Sequence, residues 1–275
     1  MTRPFLKMNG LGNDFVVVDA RRVPFNPDET EVRRIADREK GIGCDQLVSI
    51  EAGSGADANV RFWNADGEEV GACGNASRCV AWLLLEENDA PEVTMTTRSG
   101  VLHAVRAGER LVSVDMGRPR LRWDEIPLSE EMDTRGVELQ VGPIDEPLLH
   151  TPGCVSMGNP HVVFFVPDAE QAPVIEVGSM IERHPLFPEG VNVGFAQIRG
   201  PADIRLRVWE RGAGLTRACG TGACAALVAA ARRGLTGRQA RVELDGGVLV
   251  IEWREEDDHV IMTGPVQTDF EGRLP

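Results

Sequence analysis

One spacing runs through this chain and limits what it can fold into. The stretch "GACGNASRC" puts Cys73 before Gly-Asn, and "RACGTGACA" puts Cys219 before Gly-Thr, an offset of 146 residues (219 − 73). Three further stretches keep that offset. Gly12-Asn13 before "FVVVD" matches Gly158-Asn159 before "HVVFFV". Gln46 matches Asn192. Arg61, Trp63 and Asn64 match Arg207, Trp209 and Glu210. Beyond the cysteines the register slips by one: "RSGVL" (98–102) matches "DGGVL" (245–249), and "SVDMG" ending at Gly117 resembles "VIMTG" ending at Gly264. A repeat this long is a duplicated domain rather than a solenoid unit. The chain's 275 residues suit two domains of roughly 100–150 residues each. The expected domains are residues 1–118 with 265–275, and 119–264. The last stretch, "PVQTDFEGRLP", lies beyond the second copy and is expected to return to the first.

Both copies read alike. A strand is expected over Phe15–Asp19, with His161–Val166 as its counterpart. Asp28 is placed to cap a helix over "ETEVRRIAD". Short strands follow near Leu47–Glu51 and Val60–Trp63. A helix is expected just after Asn75, with its partner after Thr221. Strands "VTMTT", "VLHAV" and "LVSVDM" then alternate apolar and polar residues. The fold class is α+β (mixed α/β): two pseudo-symmetric domains from an internal duplication, each a mixed sheet wrapped around a central helix.

Composition removes several function classes. A net charge of −14 spread along the chain leaves no basic stripe for nucleic acid. No apolar run approaches the ~20 residues that span a bilayer. The start, "MTRPFLKMNG", has no apolar signal core, so a cytoplasmic location is expected. No Cys-x2-Cys pair occurs among the six cysteines, which argues against structural zinc and against a dithiol redox centre.

Free cysteine most often just fills space in a core. That reading suits Cys44, Cys79, Cys154 and Cys224, which have no cysteine at the matching repeat position. Cys73 and Cys219 are the pair the repeat relates. Each is expected beside the free N–H groups of a helix start, where the dipole favours a thiolate and lowers its pKa from about 8.5. The same N–H groups suit a carboxylate. If the copies pack about a pseudo-twofold axis, the two helix mouths can address opposite faces of one small acid. Inverting a carbon next to a carboxylate needs one group to take a proton from one face and a second to supply one to the other. A redox dithiol and a non-catalytic carboxylate-binding protein are the readings from other classes. Gly12-Asn13 and Gly158-Asn159 can equally be plain turns. His161 stands opposite Phe15 and can equally be a core residue. Trp63 and Trp209 are expected in the core.

Taken together, "MNGLGNDFVVVD", "FWNADGEEV", "CGNASRC", "GNPHVV", "EGVNVGF", "WERGAG" and "ACGTGACA" give a chain that resembles the diaminopimelate epimerases over nearly its full length. The resemblance implies interconversion of LL- and meso-diaminopimelate, on the route to lysine and peptidoglycan, by a homodimer that uses no pyridoxal phosphate and no metal. It implies Cys73 and Cys219 as the acid/base pair. It implies that Gly74, Asn75, Gly220 and Thr221 hold the reacting carboxylate. Asn13, Gln46, Asn64, Asn159, Asn192, Glu210 and Arg211 would line the pocket, with His161 and Glu210 assisting proton transfer. Two positions depart from the family pattern: Ala76 (followed by Ser77) replaces a usual glycine, and Leu215 a usual acidic residue. Both bear on loop packing more than on identity. A racemase or epimerase of proline or hydroxyproline shares the two-thiol logic and is the nearest rival. The repeat breaks where Asn64-Ala65 becomes Glu210-Arg211. A carboxylate and a guanidinium from one copy only suit a fixed zwitterion at the substrate's far end.

Overall fold

Runs of Val, Ile, Phe and Thr, bounded by Gly and Asn turns, give this chain far more strand than helix. The computed structural model describes residues 3–71 and 73–274, and the chain divides into two units, Met1–Asp115 with Thr263–Pro275, and Met116–Met262.

The first unit runs β1 (Pro4–Gly10), β2 (Asn13–Asp19), α1 (Glu29–Ala36), β3 (Gln46–Ala52), β4 (Ala58–Asn64), β5 (Glu69–Val70), α2 (Gly74–Asn88), β6 (Glu92–Thr97), β7 (Gly100–Gly108) and β8 (Leu111–Asp115). A two-residue turn joins β1 to β2. Both Leu11 and Gly12 have positive φ, 61° and 80°, as a turn matching the right-handed strand twist requires. β2 pairs parallel with β3, while β3–β4, β6–β7 and β7–β8 are antiparallel, and β4 pairs parallel with β6. α1 starts where expected: an Asp28 side-chain oxygen accepts the Glu31 N–H at 2.8 Å. α2 packs against β1, β2, β6, β7 and β8, so the sheet wraps around it.

The second unit repeats that order after a 3-10 turn (Trp123–Glu125) and a small hairpin of β9 (Gln140–Val141) and β10 (Leu149–His150). It continues with β11 (Gly153–Ser156), β12 (Pro160–Phe165), α3 (Val174–Ile181), β13 (Asn192–Gly200), β14 (Asp203–Glu210), β15 (Gly214–Thr216), α4 (Gly220–Arg232), β16 (Gln239–Leu244) and β17 (Gly247–Trp253), and the chain passes into the first unit within β18 (Val260–Pro265). The register is kept to the residue. Phe15 pairs with Gln46 across β2–β3, and His161 pairs with Asn192 across β12–β13. α4 is the central helix here, touching β11, β12, β13, β14, β16 and β17. Its face toward the strands is mostly alanine, which lets the sheet close tightly on it, with Leu227 and Val228 fully buried. Phe164 and Phe195 stack in this core, ring centroids 6.1 Å apart. The chain ends in β19 (Gln267–Arg273), antiparallel to β1 in the first unit.

Both central helices begin two residues earlier than the sequence suggested. Cys73 and Cys219 are extended N-cap residues, and their carbonyls take the first helical N–H groups, Ser77 N at 2.8 Å and Ala223 N at 3.0 Å. Gly74 and Gly220 are therefore the first helical residues. Among the described residues no helix is long and apolar enough to cross a membrane.

Candidate functional site: two half-sites at helix mouths

In the first unit the β1–β2 turn, the start of β3 and the mouth of α2 bring Asn13, Gln46, Asn64, Cys73 and Asn75 onto one end of the sheet. Cys73 is half-buried, and its Sγ lies 3.8 Å from Asn13 Oδ1. Asn75 donates to the same oxygen at 3.3 Å. Asn13 Nδ2 donates to Asp45 Oδ2 at 2.7 Å, and Asp45 also accepts from the Asp14 N–H and from Arg38. Gln46 donates to Asn64 Oδ1 at 2.8 Å, while its own Oε1 is buried with no hydrogen-bond partner. Behind this layer lies an ion cluster of Lys7, Asp14 and Arg38. Burial pushes the Asp14 carboxyl up, but the Arg38 and Lys7 cations overcome it and hold it at about 2.

The second unit repeats the arrangement with different chemistry. Cys219 is buried, 3% exposed, at the mouth of α4. Its Sγ lies 3.7 Å from Thr221 Oγ1 and also contacts the Gly222 N–H and Glu210. A Cβ at Gly222 would stand 3.1 Å from that sulfur and 3.2 Å from Val208, so a larger residue there needs a neighbour to give way by a few tenths of an ångström. The first-turn N–H groups at both mouths, those of Gly74, Asn75, Gly220 and Thr221 among them, have no acceptor within their helices. Such helix-start N–H groups suit an anion such as a carboxylate.

The expected lowering of the thiol pKa is reversed at Cys219. Burial pushes this thiol well up, the Glu210 carboxylate pushes it further, and the Thr221 hydroxyl and Gly222 N–H offset only part of that. Lost hydration outweighs the helix dipole here.

Three other expected residues take defined places. His161 is 1% exposed and its Nε2 meets Asn159 Oδ1 at 3.0 Å, so it orients that carboxamide. Burial, aided by the Arg211 charge, holds its pKa down at about 3, so the ring is neutral near pH 7. Asn192 is equally buried and braces two segments, donating to Pro160 O at 2.9 Å and accepting the Arg211 N–H at 3.0 Å. Arg211 donates through Nη1 to Glu189 O at 2.6 Å. Trp63 is buried in the first core, and Trp209 packs against the second.

Glu182, at the end of α3, carried no sequence signal. Its Oε2 accepts from Trp209 Nε1 at 2.6 Å and its Oε1 from Gly212 N at 3.1 Å. One carboxylate thus clamps both sides of Glu210-Arg211. Asp45 was also missed, although it adjoins Gln46. Among the described residues no cysteine is in a disulfide, and no group of three or more His, Cys, Asp or Glu side chains could hold a metal ion.

Known proteins share this framework. The family model for diaminopimelate epimerase matches residues 5–122 and 153–268. A diaminopimelate epimerase of Phenylobacterium zucineum is 67% identical across 100% of this chain and 99% of its own. One from Acidiphilium cryptum is 54% identical across 99% and 96%. Among solved structures, a hydroxyproline epimerase from Agrobacterium vitis shares the fold at a TM-score of 0.70 and 18% identity, covering 99% of this chain and 92% of that one. A phenazine biosynthesis protein of the PhzF family from Bacillus anthracis does so at 0.69 and 15%, covering 100% and 99%. On the strength of the family match and of relatives this similar over their whole length, the chain belongs to the diaminopimelate epimerase family of isomerases.

Proposed function

We propose that the protein epimerises LL-2,6-diaminopimelate to the meso form, with Cys73 and Cys219 as its two acid/base groups. The observation that carries this reading is the thiol at the same position of both repeats, each capping the mouth of its unit's central helix. In one direction a thiolate takes the α-proton and becomes a thiol. The electron pair left on carbon delocalises into the carboxylate, whose charge the first-turn N–H groups of Gly74, Asn75, Gly220 and Thr221 stabilise. The second thiol delivers its proton to the opposite face and becomes a thiolate. The reverse direction exchanges the two roles. Glu210, in contact with Cys219, is placed to assist its proton transfers, whereas His161, neutral and held on Asn159, acts by orientation.

Glu210 and Arg211 occur in one repeat only, which supports a role in reading the distal ammonium and carboxylate. Asn64 and Asn192 add hydrogen bonds. The proposal extends to a cytoplasmic homodimer that works without pyridoxal phosphate or metal, as the family resemblance implies. The test is incubation with LL-diaminopimelate in heavy water. Meso product carrying deuterium at the inverted carbon is expected. Inversion of proline or hydroxyproline instead would move the substrate assignment, and absence of both inversion and exchange would overturn it.

A further inference from the structure

Asn13 and Asn159 are equivalent residues of the two repeats, yet their carboxamides point in opposite senses. Asp45 Oδ2 accepts from Asn13 Nδ2 at 2.7 Å and from the Asp14 N–H at 3.0 Å, and Asp45 Oδ1 accepts from Arg38 at 2.7 Å. An ionised carboxylate only accepts hydrogen bonds, so the amide nitrogen of Asn13 must face it. The carbonyl oxygen is then turned to Cys73 Sγ, 3.8 Å away, and to Asn75 Nδ2, 3.3 Å away. In the second repeat the position matching Asp45 is Val191. His161 takes the Asn159 carbonyl at 3.0 Å, which leaves Nδ2 to donate to Thr221 Oγ1 at 3.3 Å. The Thr221 hydroxyl in turn lies 3.7 Å from Cys219 Sγ. One thiol therefore meets an acceptor oxygen fixed from behind by a carboxylate. The other meets a hydroxyl whose oxygen already accepts an N–H.

We propose that Asp45 is a positioning residue which, by locking the Asn13 carboxamide, presents a carbonyl oxygen to Cys73 and favours its thiol form over its thiolate. A thiol can donate to that oxygen, whereas a thiolate would meet its lone pairs. The inference rests on Cys73 being one of the two acid/base groups. Among the described residues, the charged and titratable groups around this half-site include Lys7, Asp14 and Arg38 behind Asp45, Arg78 and Cys79 on α2, and Asp269 on β19. All of them stay the same in the variants below.

The experiment follows carbamidomethylation of Cys73 against pH, by peptide mass spectrometry, in wild type, Asp45→Asn, Asn13→Ala and the double variant. A carboxamide at position 45 lets Asn13 turn over and aim an N–H at the sulfur. Asp45→Asn should lower the midpoint of Cys73 reactivity by about one pH unit, roughly a tenfold gain in thiolate at a fixed lower pH. Loss of the Asp45 charge alone would also favour the thiolate. The double variant separates the two effects, because only the route through Asn13 vanishes when Asn13 is alanine. An Asp45→Asn shift at least about threefold smaller in the Asn13→Ala background supports the proposal. An equal shift in both backgrounds, or none in either, overturns it.

A measurement on wild type keeps the idea testable if Asp45→Asn does not fold. The Asn13 carboxamide protons should show nuclear Overhauser contacts to the Asp14 amide proton and none to the Cys73 Hβ protons. The opposite pattern overturns the proposal. Wild-type epimerisation is assayed alongside. If it is absent, the proposed function fails, while the alkylation and Overhauser results still report on Asp45, Asn13 and Cys73.

Discussion

Cys73 and Cys219 occupy one position of one repeated topology, and they live in different chemistry. Cys219 is buried, touches a carboxylate and sits beside a threonine hydroxyl. Cys73 is half-buried and sits beside a carboxamide oxygen held by an ion cluster. The backbone that places them is the same down to the strand pairs Phe15–Gln46 and His161–Asn192. Main-chain register, inherited twice, fixes where each sulfur stands. The side chains behind it, free to differ between the copies, fix what each sulfur touches.

The largest test of this contrast removes the thiols. Cys73→Ala and Cys219→Ala should each cut epimerisation by about 10²–10⁴-fold, the usual cost of losing a positioned acid or base. Cys79→Ala and Cys224→Ala should retain activity. Near-normal turnover in either of the first two would mean that the half-sites do not work as a pair. Next comes intrinsic reactivity. At pH 8 iodoacetamide should modify Cys73 at least about tenfold faster than Cys219, since Cys219 is buried away from the reagent and Cys73 only half-buried. Equal rates measured by peptide mass spectrometry would erase the difference described above.

The clamp on the Glu210-Arg211 turn gives a smaller effect. In Glu182→Gln the new amide N–H must face either the Trp209 ring N–H or the Gly212 N–H, both donors. A loss of roughly 1–3 kcal/mol in urea unfolding is expected, with a raised KM for diaminopimelate. An unchanged KM would show that the turn holds its shape without the clamp. The smallest effect is on acid stability. The His161 pKa is depressed to about 3 in the folded chain against an ordinary 6.5. Its contribution is therefore complete above pH 6.5 and drains away as the pH falls toward 3, because the unfolded ring takes up a proton that the folded one refuses. The slope is at most ~1.4 kcal/mol per pH unit. His161→Gln should flatten the fall in urea midpoint between pH 6.5 and 5. An equally steep fall in that variant would assign the acid sensitivity elsewhere.

Much of this architecture can be read from the sequence because it is written locally or written twice. The N-cap role of Asp28, the alternating strands and the fixed offset of the cysteines all lie in short windows. The start of α2 is less legible, because Asn75 looks like a cap while the extended Cys73 carries no capping side-chain bond. The polar partners were harder. Asp45 reaches Asn13 across 32 residues, and Glu182 reaches Trp209 across 27. Neither pairing leaves a periodic trace. The direction of the Cys219 shift was hidden for a related reason. The helix mouth shows in the sequence, but the burial that outweighs its dipole depends on how strands distant in sequence close around it.

The strand β19 carries a consequence for how the protein is made. It pairs with β1 from Pro4↔Arg273 inward, a closure spanning almost the whole chain. A ribosome makes Gln267–Arg273 only after every residue of the second unit. The second unit can therefore complete its sheet on the emerging polypeptide while the first still lacks a strand. Until those residues arrive, β1 is an open sheet edge able to pair with another nascent chain. Contacts this distant in sequence also close slowly. The first repeat, begun before the second, is finished after it, and its edge stays open to aggregation until β19 is made.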